Sequence, residues 1–217
     1  MKTTNIGEHF DKKASAWDAS ERRVALAAAI TAAMERELAE KPSCRLLDYG
    51  AGTGLCSLAL APRCTSVLAM DVSSGMLAKL NEKAIASGIA NLETLQHDLS
   101  VSPFGESRFD AILCAMTLHH IRDVQLLLTR FRELLAPNGV LAIADLDKED
   151  GTFHDDPTGV EHNGFVRSDI TRRLVDAGFS FTEIQTAHRI QKPPGNKCRV
   201  YPVFFATGRM AIPSLTR

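Results

Sequence analysis

Short apolar runs alternate with amphipathic stretches from about residue 43 onward. A short, continuous apolar run is typical of a strand covered on both faces, whereas apolar residues at every third or fourth position are typical of a helix. The alternation therefore predicts a parallel α/β sheet. The predicted strands cover 44–49, 66–71, 92–96, 109–114 and 140–146, and the predicted helices between them cover 55–61, 75–86 and 124–135.

The pattern changes after the fifth predicted strand. A polar stretch at 147–167 precedes a helix that Ser168 or Asp169 is expected to cap, and two more strands follow at 179–190 and 199–208. The turn-forming residues KPPGN between these strands are too few for a helical crossover, so the strands are expected to pair antiparallel. The predicted fold is α/β: a Rossmann-like, seven-stranded, mostly parallel sheet with helices on both faces and an antiparallel C-terminal edge hairpin.

Composition and charge narrow the classes of partner. Apolar residues make up 45% of the chain, charged residues 24%, and the formal net charge is -1. The dispersed basic residues lack the patch that long nucleic acids or anionic membranes select. We therefore expect a small-molecule partner and no nucleic acid, and the sequence indicates no particular oligomeric state.

Cysteine usage and the N-terminus bear on location. The five cysteines are odd in number and contain no C-x-x-C pair, which favours reduced thiols over disulfides or structural zinc. The first residues lack an apolar signal core, and no apolar run is long enough to span a membrane. These features predict a cytoplasmic protein.

A glycine-rich turn follows the first predicted strand, in the segment LLDYGAGTG at 46–54. Glycine lacks a Cβ atom and tolerates positive φ, so the backbone here can approach a ligand closely, and the helix start beyond it offers free N–H groups. A tight strand-to-helix connection without a ligand is the alternative.

Two acidic residues follow neighbouring strands at the same sheet edge. Asp71 ends the second strand, where a carboxylate can accept hydrogen bonds from ribose hydroxyls. Its alternative role is to cap the next helix, but Ser73 and Ser74 already supply capping oxygens. Asp98 follows the third strand and can accept from an adenine amino group, unless it is an ordinary loop residue.

Together these residues resemble the class I S-adenosylmethionine-dependent methyltransferases. The family motifs are a D-x-G-x-G-x-G turn, an acidic end of strand two and a D-[LIV] pair after strand three; residues 48–54, Asp71 and Asp98–Leu99 match them. The segments FDKKASAWD, LHHI and LLAPNGVLAIAD are similar to the branch that includes ubiquinone and menaquinone biosynthesis methyltransferases. The resemblance implies S-adenosylmethionine as cofactor and methyl transfer to a small-molecule acceptor.

The residues predicted to bind the cofactor lie in the motifs or beside them. They are Asp48, Gly50, Ala51, Gly52, Gly54, Asp71, Val72, Met76, Asp98, Leu99 and Ala115. The expected single domain, 1–217, divides into an N-terminal arm and helix at 1–40, a cofactor-binding half at 43–146, a substrate loop at 147–167, and a C-terminal helix and hairpin at 168–208.

Two other functions remain open. A dinucleotide-dependent oxidoreductase usually has a G-x-G-x-x-G turn, whereas this turn reads G-x-G-x-G, and Asp48 would repel a pyrophosphate while suiting a cationic amino group. A non-catalytic module that binds S-adenosylmethionine or a nucleoside would keep Asp71 and the glycine turn. The [DNS]-P-P-[YFW] pattern of nucleobase-amino methyltransferases is absent after the fourth strand.

Candidate acceptor-side residues follow strands four and five. His119 and His120 are the candidate catalytic bases, because imidazole suits proton transfer near neutral pH; a packing role for one of them is the alternative. The residues predicted to contact substrate are Trp17, Asp145, His154 and His162. We expect the four histidines to line one cavity and the 147–167 loop to act as a mobile lid.

Other residues near this predicted pocket have weaker signals. Asp147 is a further candidate proton acceptor, and Phe10 of the arm is expected to close the pocket together with Trp17. Asp155, Asp156 and Glu161 accompany the loop histidines, but their spacing matches no metal signature. No metal is therefore assigned.

Overall fold

Seven strands form one mixed sheet in the computed structural model, which describes residues 6–41, 43–106, 108–192 and 199–209. The strand order is β3-β2-β1-β4-β5-β7-β6. The strands are β1 (Arg45–Tyr49), β2 (Ser66–Asp71), β3 (Leu92–Gln96), β4 (Phe109–Ala115), β5 (Leu135–Leu146), β6 (Phe181–Lys192) and β7 (Arg199–Arg209). The first five run parallel, and β7 lies antiparallel between β5 and β6. This topology confirms the predicted fold class.

Helices cover both faces of the sheet. They are α1 (Ile6–Asp11), α2 (Glu21–Leu38), α3 (Leu55–Leu60), α4 (Ser74–Ala86), α5 (Val124–Leu134) and α6 (Arg167–Asp176), with short 3₁₀ helices at Ala14–Ala19, Ala61–Arg63 and Leu118–His120. We call residues 6–19 the arm, because α1 and the first 3₁₀ helix lead into α2 and pack against α4.

Alternate residues of the central strands enter two separate apolar clusters. Leu47 of β1 and Ile112 of β4 pack with α5 and α6, whereas Leu46 and Leu113 pack with α2 and α3. Successive side chains of a strand point to opposite faces, so a strand buried on both faces must be apolar throughout. This explains why the central strands appear in the sequence as unbroken apolar runs.

Strand β5 begins five residues before its predicted start. Leu135 already pairs with Phe109, and a register shift in β4 then brings Val140 opposite Ala111. Asn138 adopts φ of 62°, which accommodates the turn-like P-N-G sequence within the strand. The predicted helix end at 135 therefore lies within one residue of the end of α5, whereas the predicted strand start at 140 is wrong.

The predicted cap of α6 was wrong. The helix begins at Arg167, and the N-cap position is Val166, which provides no side-chain hydrogen bond. Arg167 instead donates to both carboxylate oxygens of Asp147, at 2.7 and 2.8 Å, and to Thr186 on β6. This bidentate contact fixes the helix start to the beginning of the preceding loop.

The 147–166 loop is joined at both ends to the sheet. Asp147 N–H donates to Pro202 O of β7, and Phe165 N–H donates to Leu146 O of β5. The KPPGN turn between β6 and β7 falls at 192–196 and lies outside the described residues apart from Lys192.

Two further findings concern the described residues. None of the helices among them is both long enough and apolar enough to cross a membrane. Four cysteines are buried free thiols: Cys44, Cys56, Cys64 and Cys114. Cys198 lies outside the described residues.

Gly164, at the end of the 147–166 loop, provides a test of this attachment. Its φ is +66°, and an added Cβ would lie 2.2 Å from the carbonyl oxygen of Asp147. Gly88 has a similar φ of +64° but open space around its Cβ position. Both alanine variants strain the backbone, because both positions have positive φ, but only the Gly164→Ala side chain would also collide with a neighbouring atom. We therefore expect Gly164→Ala to lower the free energy of unfolding by about 1–3 kcal/mol more than Gly88→Ala. If urea unfolding shows that both variants lose the same free energy of unfolding, Gly164 is not closely packed against Asp147.

Candidate functional site

A cavity of about 440 Å³ opens at the carboxyl ends of β1, β2 and β4. The glycine turn, Asp71 and Asp98 line one end, which we call the cofactor end. The arm, the 3₁₀ helix at Leu118–His120 and the 147–166 loop line the other, which we call the acceptor end. Parallel strands ending at one sheet edge bring these sequence-distant segments together.

The glycine turn is held against β2. Gly50 and Ala51 donate their N–H groups to Met70 O at 2.8 and 3.1 Å, and Gly52 N–H donates to Asp71 Oδ2 at 2.8 Å. A Cβ on Gly50 would collide with Thr117, whereas a Cβ on Gly52, with φ of +56°, would meet nothing within 4 Å. Since Gly52 lines the cavity, that open space is where a ligand can approach the backbone.

Asp71 links the turn to the start of α4. Its Oδ1 accepts from Ser73 N–H at 2.8 Å while its Oδ2 accepts from Gly52, and the residue is 9% exposed. Burial raises the pKa of Asp71, and these backbone hydrogen bonds oppose the rise. Ser73 Oγ accepts from Met76 N–H and caps α4, so the cap does not need the carboxylate of Asp71.

Asp48 lies deeper, beneath the turn. It is 2% exposed, lines the cavity and accepts from Ser57 Oγ at 2.5 Å. Burial, with a smaller contribution from the charge of Asp71, raises the pKa of Asp48 to about 6, against the hydrogen bond from Ser57. A cation next to Asp48 would therefore draw a proton off this carboxyl group.

Asp98 is fixed through one of its oxygens. Its Oδ1 accepts from Tyr49 Oη at 3.1 Å, Ser100 N–H at 2.8 Å and Ser100 Oγ at 2.6 Å. Its Oδ2 and the N–H of Leu99 have no hydrogen-bond partner among the described residues. An acceptor and a donor are thus left side by side, although the Leu99 side chain is buried in the core and does not line the cavity.

A buried His–Asp pair lies at the acceptor end. Asp145 Oδ1 lies 2.8 Å from His119 Nδ1 and accepts from Leu146 N–H at 2.7 Å, and Oδ2 accepts from His119 N–H at 3.1 Å. Burial alone would raise the pKa of Asp145, but the charge and hydrogen bonds of His119 and the Leu146 N–H hold it below the usual value. The carboxylate only accepts, so Nδ1 of His119 carries a proton and donates it to Asp145, and Nε2 is the ring nitrogen that this contact leaves unoccupied.

Two further imidazoles lie beside this pair. The His119 ring centroid lies 4.1 Å from that of His120 and 4.8 Å from that of His154. His120 Nδ1 hydrogen-bonds Gly159 O at 2.8 Å, and burial followed by the charge of His119 lowers its pKa to about 3. Burial and His119 also lower the pKa of His154 to about 4, so both rings are neutral at physiological pH.

Four predicted site residues do not line the cavity. Asp145 is fully buried behind His119, so its predicted contact with substrate is wrong. The predicted four-histidine cavity is wrong for His162, whose Nε2 hydrogen-bonds Ile121 O at 2.9 Å. Gly54 and Leu99 face the protein interior. The other predicted residues all line the cavity: Asp48, Gly50, Ala51, Gly52, Asp71, Val72, Met76, Asp98, Ala115, Trp17, His119, His120 and His154.

The arm closes the cavity by packing against both ends. Asp11 Oδ1 accepts from Ser73 Oγ at 2.6 Å and Gly75 N–H at 2.7 Å at the cofactor end. At the acceptor end, the Phe10 ring lies edge-on to Trp17 and to His120, with centroids 5.8 and 5.2 Å apart. The sequence offered no local signal for the cationic side chains that also line this region, Lys13, Arg22, Arg23 and Lys192.

The 147–166 loop is anchored along its length. Glu149 Oε2 accepts from Thr152 N–H at 2.8 Å and Phe153 N–H at 3.1 Å, and Lys192 Nζ donates to Phe153 O at 2.6 Å. These contacts favour a fixed wall over the mobile lid expected from the loop's length. Within the described ranges, no three His, Cys, Asp or Glu side chains are grouped so that they could hold a metal ion.

The sequence matches known methyltransferases. Residues 46–139 match the family model described as a methyltransferase domain. An uncharacterized methyltransferase of Schizosaccharomyces pombe is 34% identical over 161 residues, covering 67% of this chain and 56% of that protein. The demethylmenaquinone methyltransferase of Clavibacter sepedonicus is 29% identical over 146 residues, covering 66% of this chain and 59% of that protein.

The fold matches as well. The solved complex of DhpI with S-adenosylhomocysteine has a TM-score of 0.70 and 24% identity, and the match covers 94% of both chains. The chain spans about half the length of the curated relatives it matches, from 40% to 59% for three of them. Sequence and fold agree on one family, including the predicted likeness to menaquinone-branch enzymes: the chain belongs to the class I S-adenosylmethionine-dependent methyltransferases, whose cofactor is S-adenosylmethionine.

Proposed function

We propose that this protein transfers the methyl group of S-adenosylmethionine to a small-molecule acceptor, with His119 as the general base. The observation that carries the proposal is the buried His119–Asp145 pair, because His119 lines the same cavity whose other end holds Asp71 and the glycine turn. When bound, S-adenosylmethionine supplies a methyl group on a positively charged sulfur, which a lone pair of the acceptor displaces.

The cofactor end has donors and acceptors that suit the parts of this cofactor. Asp71 is available to ribose hydroxyls, and the free Oδ2 of Asp98 beside the free N–H of Leu99 suits the amino group and a ring nitrogen of adenine. Asp48 is suited to the cationic amino group of the methionine moiety. The open space above Gly52 provides the close approach to backbone that such a ligand requires.

The acceptor end is suited to removing a proton. Asp145 holds the Nδ1 proton of His119 and fixes the ring, so the Nε2 lone pair is the group left to receive a proton from the acceptor. His120 and His154 are neutral, which leaves them as hydrogen-bonding groups along the same wall. The residues therefore orient the acceptor and take its proton as it attacks.

Three expectations from the sequence accompany this proposal. We propose that the enzyme acts in the cytoplasm, which the buried free thiols support, and that its acceptor is not a nucleic acid, which the net charge of -1 supports. The division of 1–217 into a single domain with the boundaries given above also stays a prediction.

Gly52→Val tests the close approach of the cofactor. The valine side chain would project into the cavity, so we expect affinity for S-adenosylhomocysteine to fall by at least about 100-fold, about 3 kcal/mol, in calorimetry. Gly88→Val is the matched control, because Gly88 also has positive φ and open space but lies outside the cavity lining. If both variants bind like wild type, the cofactor does not pass over Gly52.

The raised pKa of Asp48 predicts how the affinity for S-adenosylmethionine depends on pH. Its ionised form attracts the cationic amino group, and the carboxyl group becomes protonated as the pH falls through about 6. We therefore expect affinity to weaken between about pH 7 and pH 5, over which the α-amino group stays protonated. Asp48→Asn should bind more weakly at pH 7 and lose this dependence. If the affinity of both proteins falls equally with pH, the pH dependence belongs to a group other than Asp48.

Asp145→Asn tests the proposed role of His119 as general base, because Asp145 orients the His119 ring. The amide cannot hold the same His119 tautomer, so we expect turnover to fall by roughly 10²–10⁴-fold while S-adenosylhomocysteine affinity is unchanged. Turnover is measured as S-adenosylhomocysteine release with a library of small acceptors. His119→Ala should lose turnover similarly and recover part of it with added imidazole. Full turnover in the folded Asp145→Asn protein, or no rescue of His119→Ala, would remove the base assignment.

A further inference from the structure

Cationic side chains outnumber anionic ones at the acceptor end. Lys13, Arg22, Arg23 and Lys192 line it, whereas the acidic side chains there are Asp155 and Asp156. The Asp155 and Asp156 side chains are 87% and 52% exposed, so water screens much of their charge.

Two of the four cations have a carboxylate partner. Lys192 Nζ lies 2.9 Å from Asp155 Oδ1, and Lys13 Nζ lies 3.8 Å from Asp156 Oδ2. Arg22 has neither a hydrogen bond nor an ion pair within the described part of the chain. Arg22, which is itself exposed, therefore lies at the cavity with a guanidinium group that is bonded to none of the described residues.

Arg23 stands next to Arg22 without a carboxylate within ion-pair distance among the described residues. Its guanidinium group lies 3.9 Å from the centroid of the Trp17 ring and donates to Trp17 O at 3.2 Å. Burial, and then the charge of Arg22, lower the pKa of Arg23. The two guanidinium groups therefore repel each other, and a nearby anion would relieve that repulsion.

The positive potential extends to the histidine wall. Burial and His119 lower the pKa of His154, and the charges of Lys192 and Lys13 add to the effect. Asp145, the carboxylate buried beside this wall, is already paired with His119 and does not reach the cavity. Among the described residues, the carboxylates that line the acceptor end are therefore the exposed Asp155 and Asp156, and an acceptor with an ammonium group would meet an excess of cations there.

We propose that the methyl acceptor carries an oxyanion, of the carboxylate or phosphate type, that Lys13, Arg22 and Lys192 hold at the acceptor end. The proposal rests on the proposed function, because it concerns the second ligand of the same site. Phe10, Trp17 and Phe153 line the cavity between these cations and suit a flat apolar body. The anion would keep the acceptor oriented while its methyl-accepting atom faces His119.

The test uses three probes of nearly identical shape and different charge: benzoate, benzamide and benzamidinium. Each is titrated by calorimetry into the protein saturated with S-adenosylhomocysteine, and Trp17, the single tryptophan, reports entry into the cavity by fluorescence. We expect benzoate to bind about tenfold more tightly than benzamide, benzamidinium to bind most weakly, and added salt to weaken benzoate alone.

Variants assign the preference to named side chains. Lys13→Gln, Arg22→Gln and Lys192→Gln should each weaken benzoate about threefold to tenfold and leave benzamide unchanged. Lys12→Gln is the matched control, since exposed Lys12 lies one residue from Lys13 but outside the cavity lining. All variants should bind S-adenosylhomocysteine like wild type.

Several outcomes would overturn the proposal that the acceptor carries an oxyanion. These are benzoate binding no more tightly than benzamide, benzamidinium binding as tightly as benzoate, no measurable benzoate binding, or equal losses in Lys12→Gln and the three cavity variants. Failure of wild-type protein to bind S-adenosylhomocysteine at all would instead overturn the proposed function.

Discussion

Burying carboxylates is the constraint on which the cavity depends. Asp48, Asp71, Asp98 and Asp145 lie in or just after β1, β2, β3 and β5, and each is buried or half-buried. An ionised carboxylate removed from water without donors costs several kcal/mol, so each must recruit hydrogen bonds from nearby chain. Asp71 recruits the N–H groups of Gly52 and Ser73, and it thereby fixes both the glycine turn and the start of α4. The need to give these carboxylates hydrogen-bond donors therefore determines where the loops lie at the sheet edge.

Two of these carboxylates, Asp48 and Asp145, are almost completely buried, but their pKa values shift in opposite directions. Asp145 accepts from His119 twice and from Leu146, and its pKa is held low despite burial. Asp48 accepts from Ser57 and lies near another carboxylate, so burial dominates and raises its pKa to about 6. One carboxylate is thus already committed to orienting an imidazole. The other gains most when a cationic ligand arrives.

The sequence predicted features that depend on local pattern. The glycine turn and Asp71 are recognisable because a strand followed by G-x-G-x-G, and an acid ending the next strand, need only short-range information. The start of β5 was missed because Leu135 pairs with Phe109 through a register shift, which only the neighbouring strand determines. Likewise, Asp145 and His162 have polar side chains that suggested contact with substrate. Their burial and partners are set by tertiary packing that no local pattern encodes.

The cationic side chains at the acceptor end also could not be predicted from a local sequence pattern. Lys13 and Lys192 are 179 positions apart in the numbering, and they meet at one cavity only because the arm folds across the sheet edge toward the end of β6. A whole-chain net charge of -1 averages this local excess away. Composition can therefore argue against a long polyanion as partner, but it carries no information about the charge of a small ligand.

The arm couples the two ends of the cavity. Asp11 is bonded to Ser73 and Gly75 beside the cofactor end, while Phe10, one residue earlier, packs on His120 at the acceptor end. A displacement of the arm would therefore open both ends together. In the proposed reaction the positive charge of the sulfonium is lost as the imidazole of His119 takes up the acceptor's proton and becomes positive, and in a site closed to water the fixed groups around both charges act on them more strongly. The same segment that completes the acceptor wall thus also controls the water content on which the reaction rate depends.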